Sequence, residues 1–193
     1  MVRRVLINML EKEVKILLSI QEYERLFSIF DFEEPFIQTN YYYENSKSAI
    51  NNVTIRIREK NDKYKLQVKI PKNIEGSIHI KEEYEEDIDK VYETIDKEIL
   101  KQATEIDFED DLLLIGKLVT KRLVCNKYDD VVIALDANKY LDVKDYELEI
   151  EYCNEYPQYI MDILKEHDIK INDLVLGKNN RFNKRLRTIQ KHG

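Results

Sequence analysis

Hydrophobic and polar positions alternate with a period of two along most of this chain. In residues 8–18, Val14, Ile16 and Leu18 share one side of an extended strand with Lys12. Glu11, Glu13, Lys15 and Leu17 share the other. The same rhythm predicts strands at residues 36–44, 53–60, 63–70, 77–86, 116–126, 131–136 and 146–152. Asn61 and Asp62 are a tight-hairpin signal between two of these, and residues 71–76 read as a looser turn. Helical spacing takes over at residues 19–30, where Ser19 and Glu22 form a capping box ahead of Tyr23, Leu26, Phe27 and Phe30. It returns at residues 87–103, with Ile88, Val91, Tyr92, Ile95, Ile99 and Leu100 on one stripe. Pro157 opens another helix to about His167, with Ile160, Ile163 and Leu164 as its apolar face. The tail from Lys178 to His192 is basic and predicted to end in a helix. Eight strands joined mostly by short turns, with no internal repeat and no linker, predict a single domain over residues 1–193 whose antiparallel sheet closes on itself.

Composition narrows the chemistry. Charged residues make up 36% of the 193 positions and hydrophobic ones 43%, enough for a core beside an unusually ionic surface or interior. A net charge of −7 argues against a general nucleic-acid or anionic-membrane binder. No apolar run approaches membrane-span length, and the N-terminus leads into no signal-peptide core. Cys125 and Cys153 are too few for a disulfide scaffold, fall in strand-like runs and read as small buried residues in a reducing, cytoplasmic setting. Four glycines, widely spaced, cannot build a phosphate-cradling loop, so any phosphate must be held by side chains. His79, His167 and His192 have no zinc-like spacing with the cysteines, and His79 reads as a surface residue near a strand start. Any metal would be a hard ion on carboxylates, Mg2+ or Mn2+.

The polar sides of the strands are not ordinary. A lone Glu11-x-Glu13-x-Lys15 row suits the solvated face of an edge strand, but the pattern recurs. Thr54, Arg56 and Arg58 share a side, as do Lys65, Gln67 and Lys69. His79, Lys81, Glu83 and Glu85 form another row, Thr120 and Arg122 another, and Glu147, Glu149 and Glu151 the last. Acids occupy the two ends of the set and bases the middle. Rows of like charge repel unless water or a ligand separates them, and sorted rows suit a polyanion that carries cations.

These segments together resemble the CYTH superfamily, the triphosphate tunnel metalloenzymes, from Glu11 to Phe182. Glu11, Glu13 and Lys15 match the opening E-x-E-x-K signature, and residues 40–44 resemble the tyrosine-rich second strand. Arg56 and Arg58 match the R-x-R strand, and residues 64–69 the strand that ends in a lysine, with Pro71 following. Lys81, Glu83 and Glu85 match R-x-E-x-E with Lys in first place. Arg122, Asp136 and residues 146–151 follow in order, and Lys178 and Arg181 resemble the closing S-K-x-x-R segment without its serine. The likeness is strongest to the bacterial, Firmicutes-type branch. Glu44 stands where Asp is usual, and about ten residues precede the signature and are expected to lengthen the first strand.

The resemblance implies an α+β fold, an eight-stranded antiparallel closed β-barrel forming a polar tunnel with helices packed outside. It implies metal-dependent chemistry on a small-molecule triphosphate: inorganic triphosphate, thiamine triphosphate or, in the cyclases, ATP. Planar forks on Arg56, Arg58 and Arg122 and point charges on Lys15, Lys69 and Lys81 fit the phosphate oxygens, with Lys15 also at the reacting centre. Lys178 and Arg181 either cap one end of the tunnel or form a solvated basic helix end. Glu11, Glu13, Glu149 and Glu151 are the expected ligands of Mg2+ or Mn2+, since a closed barrel brings its first and last strands together. Glu83 and Glu85 either orient water or a second ion, or pair with the tunnel bases. Asp136 and Glu147 read as residues that orient a neighbouring Arg. Tyr42 faces the opposite way from Tyr41 and Tyr43, and at least one of the two sets belongs to the core. A metal-dependent triphosphatase acting on inorganic triphosphate is the first expectation, with a cyclase, a thiamine triphosphatase or an idle polyphosphate-binding module as alternatives. The oligomeric state, monomer or homodimer, stays open.

Overall fold

In the computed structural model, which describes residues 7–75, 78–171 and 175–192, the alternating segments pair edge to edge until the last meets the first. The strands are β1 (Ile7–Leu18), β2 (Phe36–Glu44), β3 (Thr54–Lys60), β4 (Lys63–Glu75), β5 (Ile78–Ile88), the two-residue β6 (Thr94–Ile95), β7 (Leu112–Tyr128), β8 (Val131–Tyr140) and β9 (Val143–Tyr152). The ring runs β2-β3-β4-β5-β1-β9-β8-β7 and closes by pairing β7 with β2, while β6 lies outside it against β7. Every pairing in the ring is antiparallel. Closure leaves the eight long strands without a free edge, which a nine-stranded open sheet could not achieve. Asn61 and Asp62 turn the β3–β4 hairpin with positive φ values of 51° and 57°, the conformation that Asn and Asp tolerate best after Gly.

The barrel is packed inside out. Val14, Ile16 and Leu18 of β1, Ile133 and Leu135 of β8, and Leu148 and Ile150 of β9 face outward. They pack against Tyr23 and Leu26 of α1 (Ile20–Leu26) and against Ile160, Met161 and Leu164 of α4 (Gln158–Glu166). On the other flank Ile55, Ile57, Leu66 and Val68 pack beneath Leu100 of α3 (Lys97–Thr104) and Phe108. A short α2 (Ser46–Ile50), capped reciprocally by Asn45 and Ser48, follows β2 and has no strong sequence signal. No helix among the described residues is long and apolar enough to cross a membrane.

The expected helix over residues 87–103 does not form as such. β5 continues to Ile88, β6 intervenes, and helical structure starts only after Asp96, whose carboxylate caps the Glu98 amide. The apolar stripe was real, since Ile88, Val91, Ile95, Ile99 and Leu100 all join one cluster. Burial on a common flank produced the helical spacing, through three elements instead of one. Several strands are also longer than their alternation suggested: β7 starts at Leu112 and β8 reaches Tyr140. The looser turn expected over residues 71–76 does not form as such: β4 continues through Pro71 to Glu75, paired with β5 across a register shift between Pro71 and Asn73, while residues 76 and 77 fall outside the described residues. Cys125 is buried, but Cys153, also expected to be buried, is exposed just beyond the end of β9.

The last helix, α5 (Lys178–His192), enters the barrel from one end. Phe182 is fully buried among Tyr42, Leu118 and Tyr140, an apolar plug inside an otherwise polar interior. Gly116 makes room for it. Its φ is +147°, at a register shift between β2 and β7, and a Cβ there would lie 2.7 Å from the Phe182 ring. Gly116→Ala should therefore cost about 2–4 kcal/mol and lower Tm by roughly 5–10 °C. Gly177→Ala, with nothing within 4 Å of the added carbon, is the control and should leave Tm unchanged in the same thermal melts.

Candidate active site

Because the apolar positions of every strand face outward, the ionic positions meet inside. Register fixes who meets whom. Lys15 lies opposite Glu149 and Glu13 opposite Glu151 across β1–β9, while Glu11 faces Lys81 across β1–β5. Lys69 faces Glu83 and Gln67 faces Glu85 across β4–β5. Arg56 faces Gln67 across β3–β4, Asn40 faces Arg58 across β2–β3, and Arg122 faces Asp136 across β7–β8. The resulting cavity, of about 330 Å³, is lined by all the predicted site residues except Arg181.

One end of this interior is saturated with ion pairs. Glu149 accepts from Lys15, Arg122 and Lys178, the last at 2.8 Å. Lys178 also lies 2.8 Å from Asp136 and 3.0 Å from Glu147. Arg122 grips Asp136 with two hydrogen bonds of 2.8 and 2.6 Å. Burial opposes ionisation of Glu149, but Lys15, Lys178 and Arg122 outweigh it and hold its pKa well below the usual carboxylate range. Burial likewise works against the Lys15 ammonium, and Glu13 and Glu149 overcome it. Arg181 belongs to the support beneath: it binds Asp145 at 2.9 Å, Glu147 at 2.6 Å and the Leu176 carbonyl at 2.6 Å. Asp145 in turn accepts from Tyr140 and Asn138, anchoring α5 to β8 and β9. Asp136 and Glu147 do orient basic side chains, as their positions on the strands suggested.

The β2–β3 wall is different. Arg56 is 7% exposed and donates through Nε to Gln67 at 2.7 Å; Arg58 donates to Asn40 at 3.0 Å. Both partners are neutral amides, and neither guanidinium has a carboxylate within ion-pair distance among the described residues. Burial, together with Arg56 and Arg122 nearby, pulls the pKa of Arg58 down to about 10. Beside them, the Tyr42 hydroxyl is buried without a hydrogen-bond partner and lines the cavity. Burial raises the Tyr42 pKa, so the phenol stays a donor.

On the opposite wall Glu13 accepts from Lys15 at 2.6 Å and from Lys81, Glu11 binds Lys69, and Glu151 has no cation within ion-pair distance among the described residues. Glu11, Glu13 and Glu151 bring carboxylate oxygens within 4.8 Å of one another. Burial and the charges of Glu11 and Glu149 push the Glu151 pKa up, the mark of an acidic pocket short of positive charge. An all-carboxylate donor set of this kind fits a hard divalent cation. Glu149, the fourth expected ligand, is instead the hub of the ion-paired end. Lys69 bridges Glu11 at 2.6 Å and Glu83 at 3.0 Å, leaving Glu83 Oε1 buried without a partner. Glu85 is held by Gln67 and Lys65.

His79 corrects the sequence reading. It is 3% exposed, lines the cavity opposite Glu13, and is held by a hydrogen bond to the Val175 backbone. Burial and nearby Lys15 and Lys81 lower its pKa, so the ring is neutral at pH 7. Its place in the same alternating row as Lys81 was the available signal. Tyr42 was ambiguous in sequence because three tyrosines run together; register with Arg56 places it inside, and Tyr43 joins the outer core.

Comparison with known proteins agrees with this geometry. YjbK of Bacillus subtilis, named as a triphosphatase, is 28% identical over 148 residues, covering 74% of this chain and 77% of that protein. The structure of a Bacillus halodurans protein named as an adenylate cyclase superposes with a TM-score of 0.71 at 24% identity, over 91% of this chain and 98% of that one. A Hippeastrum protein, named as an adenylyl cyclase and described as revealing a dominant triphosphatase activity, gives 0.71 at 22% identity over 90% and 95%. At these identities the two structures establish the shared barrel. The model of the CYTH domain matches residues 9–169. With the barrel closed, the charged rows turned inward and the match spanning most of its length, this chain belongs to the CYTH domain family.

Proposed function

We propose that the protein is a divalent-metal-dependent triphosphatase that cleaves inorganic triphosphate to phosphate and pyrophosphate inside the tunnel. The observation that carries this reading is the division of the cavity: buried arginines without carboxylates on one wall, and on the other three clustered carboxylates of which Glu151 has no cation partner among the described residues. A ligand that is itself polyanionic and travels with a cation supplies the missing charge at both walls at once. The names of YjbK and of the Hippeastrum protein support the triphosphatase part of this reading.

Arg56 and Arg58 take the phosphate oxygens, with their forks already fixed by Gln67 and Asn40. Lys69 and Lys81 flank the chain from β4 and β5, and Lys15, Arg122 and Lys178 hold its inner end against the charge cluster. Glu11, Glu13 and Glu151 would hold Mg2+ or Mn2+, which when bound supplies charge neutralisation and polarisation of phosphoryl oxygens. Glu149 keeps Lys15 and Lys178 in place. Glu83, with one oxygen fixed by Lys69 and the other free, orients the attacking water. The water oxygen bonds to the terminal phosphorus as the bridging P–O bond breaks, and its proton passes to Glu83. A loose phosphoryl-transfer transition state needs positioning and charge stabilisation more than covalent help, and these residues provide both.

Two measurements check this. Phosphate release from inorganic triphosphate, ATP and thiamine triphosphate should stop in excess chelator and return with Mg2+ or Mn2+. Inorganic triphosphate should have the highest kcat/KM, because both of its ends are charged. Turnover persisting in chelator, or cyclic AMP and pyrophosphate as the main products from ATP, would overturn the assignment.

The second concerns Arg58. Its folded pKa lies below its unfolded one, so the charged form costs stability at all pH values below about 10, and that cost fades as pH rises through the folded pKa toward the ordinary guanidinium range. Arg58→Met should cut kcat/KM about 100-fold while leaving Tm equal to or above that of the wild type. A large fall in Tm with activity retained would make Arg58 a structural residue.

A further inference from the structure

The tunnel does not stop at α5. The plug formed by Phe182 fills the side beneath β2, β7 and β8, and the cavity continues past Asn52, Leu176, Asn179 and Asn180. These four residues also line a second cavity, of about 570 Å³, in the groove between α2 and the outer half of α5. Lys184, Arg187 and Lys191 stand along that groove at helical spacings of three and four, while the hydroxyls of Ser48 and Thr188, which also line it, donate to the Asn45 and Lys184 carbonyls.

The charge of the groove is not balanced locally. Glu44 is its one lining carboxylate; it accepts from Asn183 at 2.6 Å and from Arg187 at 3.2 Å. Lys184 and Lys191 have no carboxylate partner among the described residues. The groove lining contains no aromatic residue, so it offers no stacking surface for a nucleobase or a thiazolium ring. Its amide and ammonium donors suit phosphate oxygens, and it is continuous with a cavity whose own unpaired donors ask for the same groups.

We propose that this groove is a binding track for the phosphates of a linear polyphosphate beyond the three held in the tunnel. The inference rests on the tunnel being a triphosphate site and adds to it a preference for chain length. A chain with its end in the tunnel leaves past Asn179 and Asn180 and lies along α5 against Lys184 and Lys191. The contacts are solvent-exposed ammonium–phosphate pairs, each modest and salt-sensitive, so their contribution grows with the number of phosphates that reach them.

The test compares inorganic triphosphate with a long linear polyphosphate on the full chain, by calorimetric titration and by triphosphate hydrolysis with Mg2+. The wild type should bind the long chain more tightly than triphosphate. The double variant Lys184→Glu with Lys191→Glu should weaken the long chain about tenfold or more at low salt, and Lys184→Gln with Lys191→Gln by an intermediate factor. Triphosphate affinity, its kcat/KM and Tm should be unchanged in both, since neither lysine touches the tunnel. Equal long-chain affinity in the wild type and the charge-reversed variant would overturn the groove assignment. Failure of the triphosphatase reading would appear separately, as absence of triphosphate turnover in the wild type, and the long-chain titrations would still decide the groove.

Discussion

The structure depends on one electrostatic constraint: a barrel whose inward positions are ionic must balance its charges across strands, because no water-filled bulk is present to do it. Burying a lone charge costs several kcal/mol even after relaxation, and pairing recovers that only with good geometry. The register supplies that geometry. Lys15 meets Glu149, Lys69 meets Glu83 and Arg122 meets Asp136 because each pair is directly opposite in the ladder. A slip of one residue on β9 would send Glu147, Glu149 and Glu151 into the apolar layer under α1 and α4 and bring Leu148 and Ile150 inside. Packing on the outside and ion pairing on the inside therefore specify the same register, and each protects the other.

That agreement explains why so much was legible in the sequence. Strict alternation on β1, β3 and β9 identifies both faces at once, and the ionic residues on one face mark the interior as polar. The mistaken helix over residues 87–103 shows the limit. Ile88, Val91, Ile95 and Leu100 do share a flank, but a strand end, a two-residue strand and a helix starting at Lys97 can satisfy that as well as one helix can. Periodicity reports which side is buried, not the backbone that connects the sites. The insertion of α5 was only half readable. Lys178 and Arg181 suggested a cap on one end of the tunnel, but Phe182 looks like an ordinary residue of a basic helix until Gly116 is seen to open a space for the ring.

The site was legible in its residues but not in its division of labour. Sequence places Lys15, Arg56, Arg58, Lys178 and Arg181 in one class, as bases for a polyanion. The structure separates them by what already compensates each. Arg181 faces Asp145 and Glu147 behind α5, Lys178 holds three carboxylates, and Arg56 and Arg58 rest on neutral amides. The carboxylates sort the same way, with Glu149 surrounded by cations and Glu151 facing Glu11 and Glu149. These differences arise from cross-strand neighbours, which a single sequence does not display.

The division has a physical consequence for how such a tunnel works. A site compensated throughout would be stable without ligand and would bind an anion only by exchanging one set of ion pairs for another, with little net gain. A site uncompensated throughout would not fold. Here the cluster of Glu149, Lys178, Asp136 and Arg122 fixes the inner end, and the cost of unpaired charge falls on Arg56 and Arg58 on one wall and on Glu151, beside the lysine-paired Glu11 and Glu13, on the other. Those two walls face each other across the same cavity, so a single bound species that brings negative charge to one and positive charge to the other removes both costs together. On the proposed reading, binding strength comes from instability stored in the unliganded barrel, at positions that the surrounding ladder and outer core are strong enough to hold.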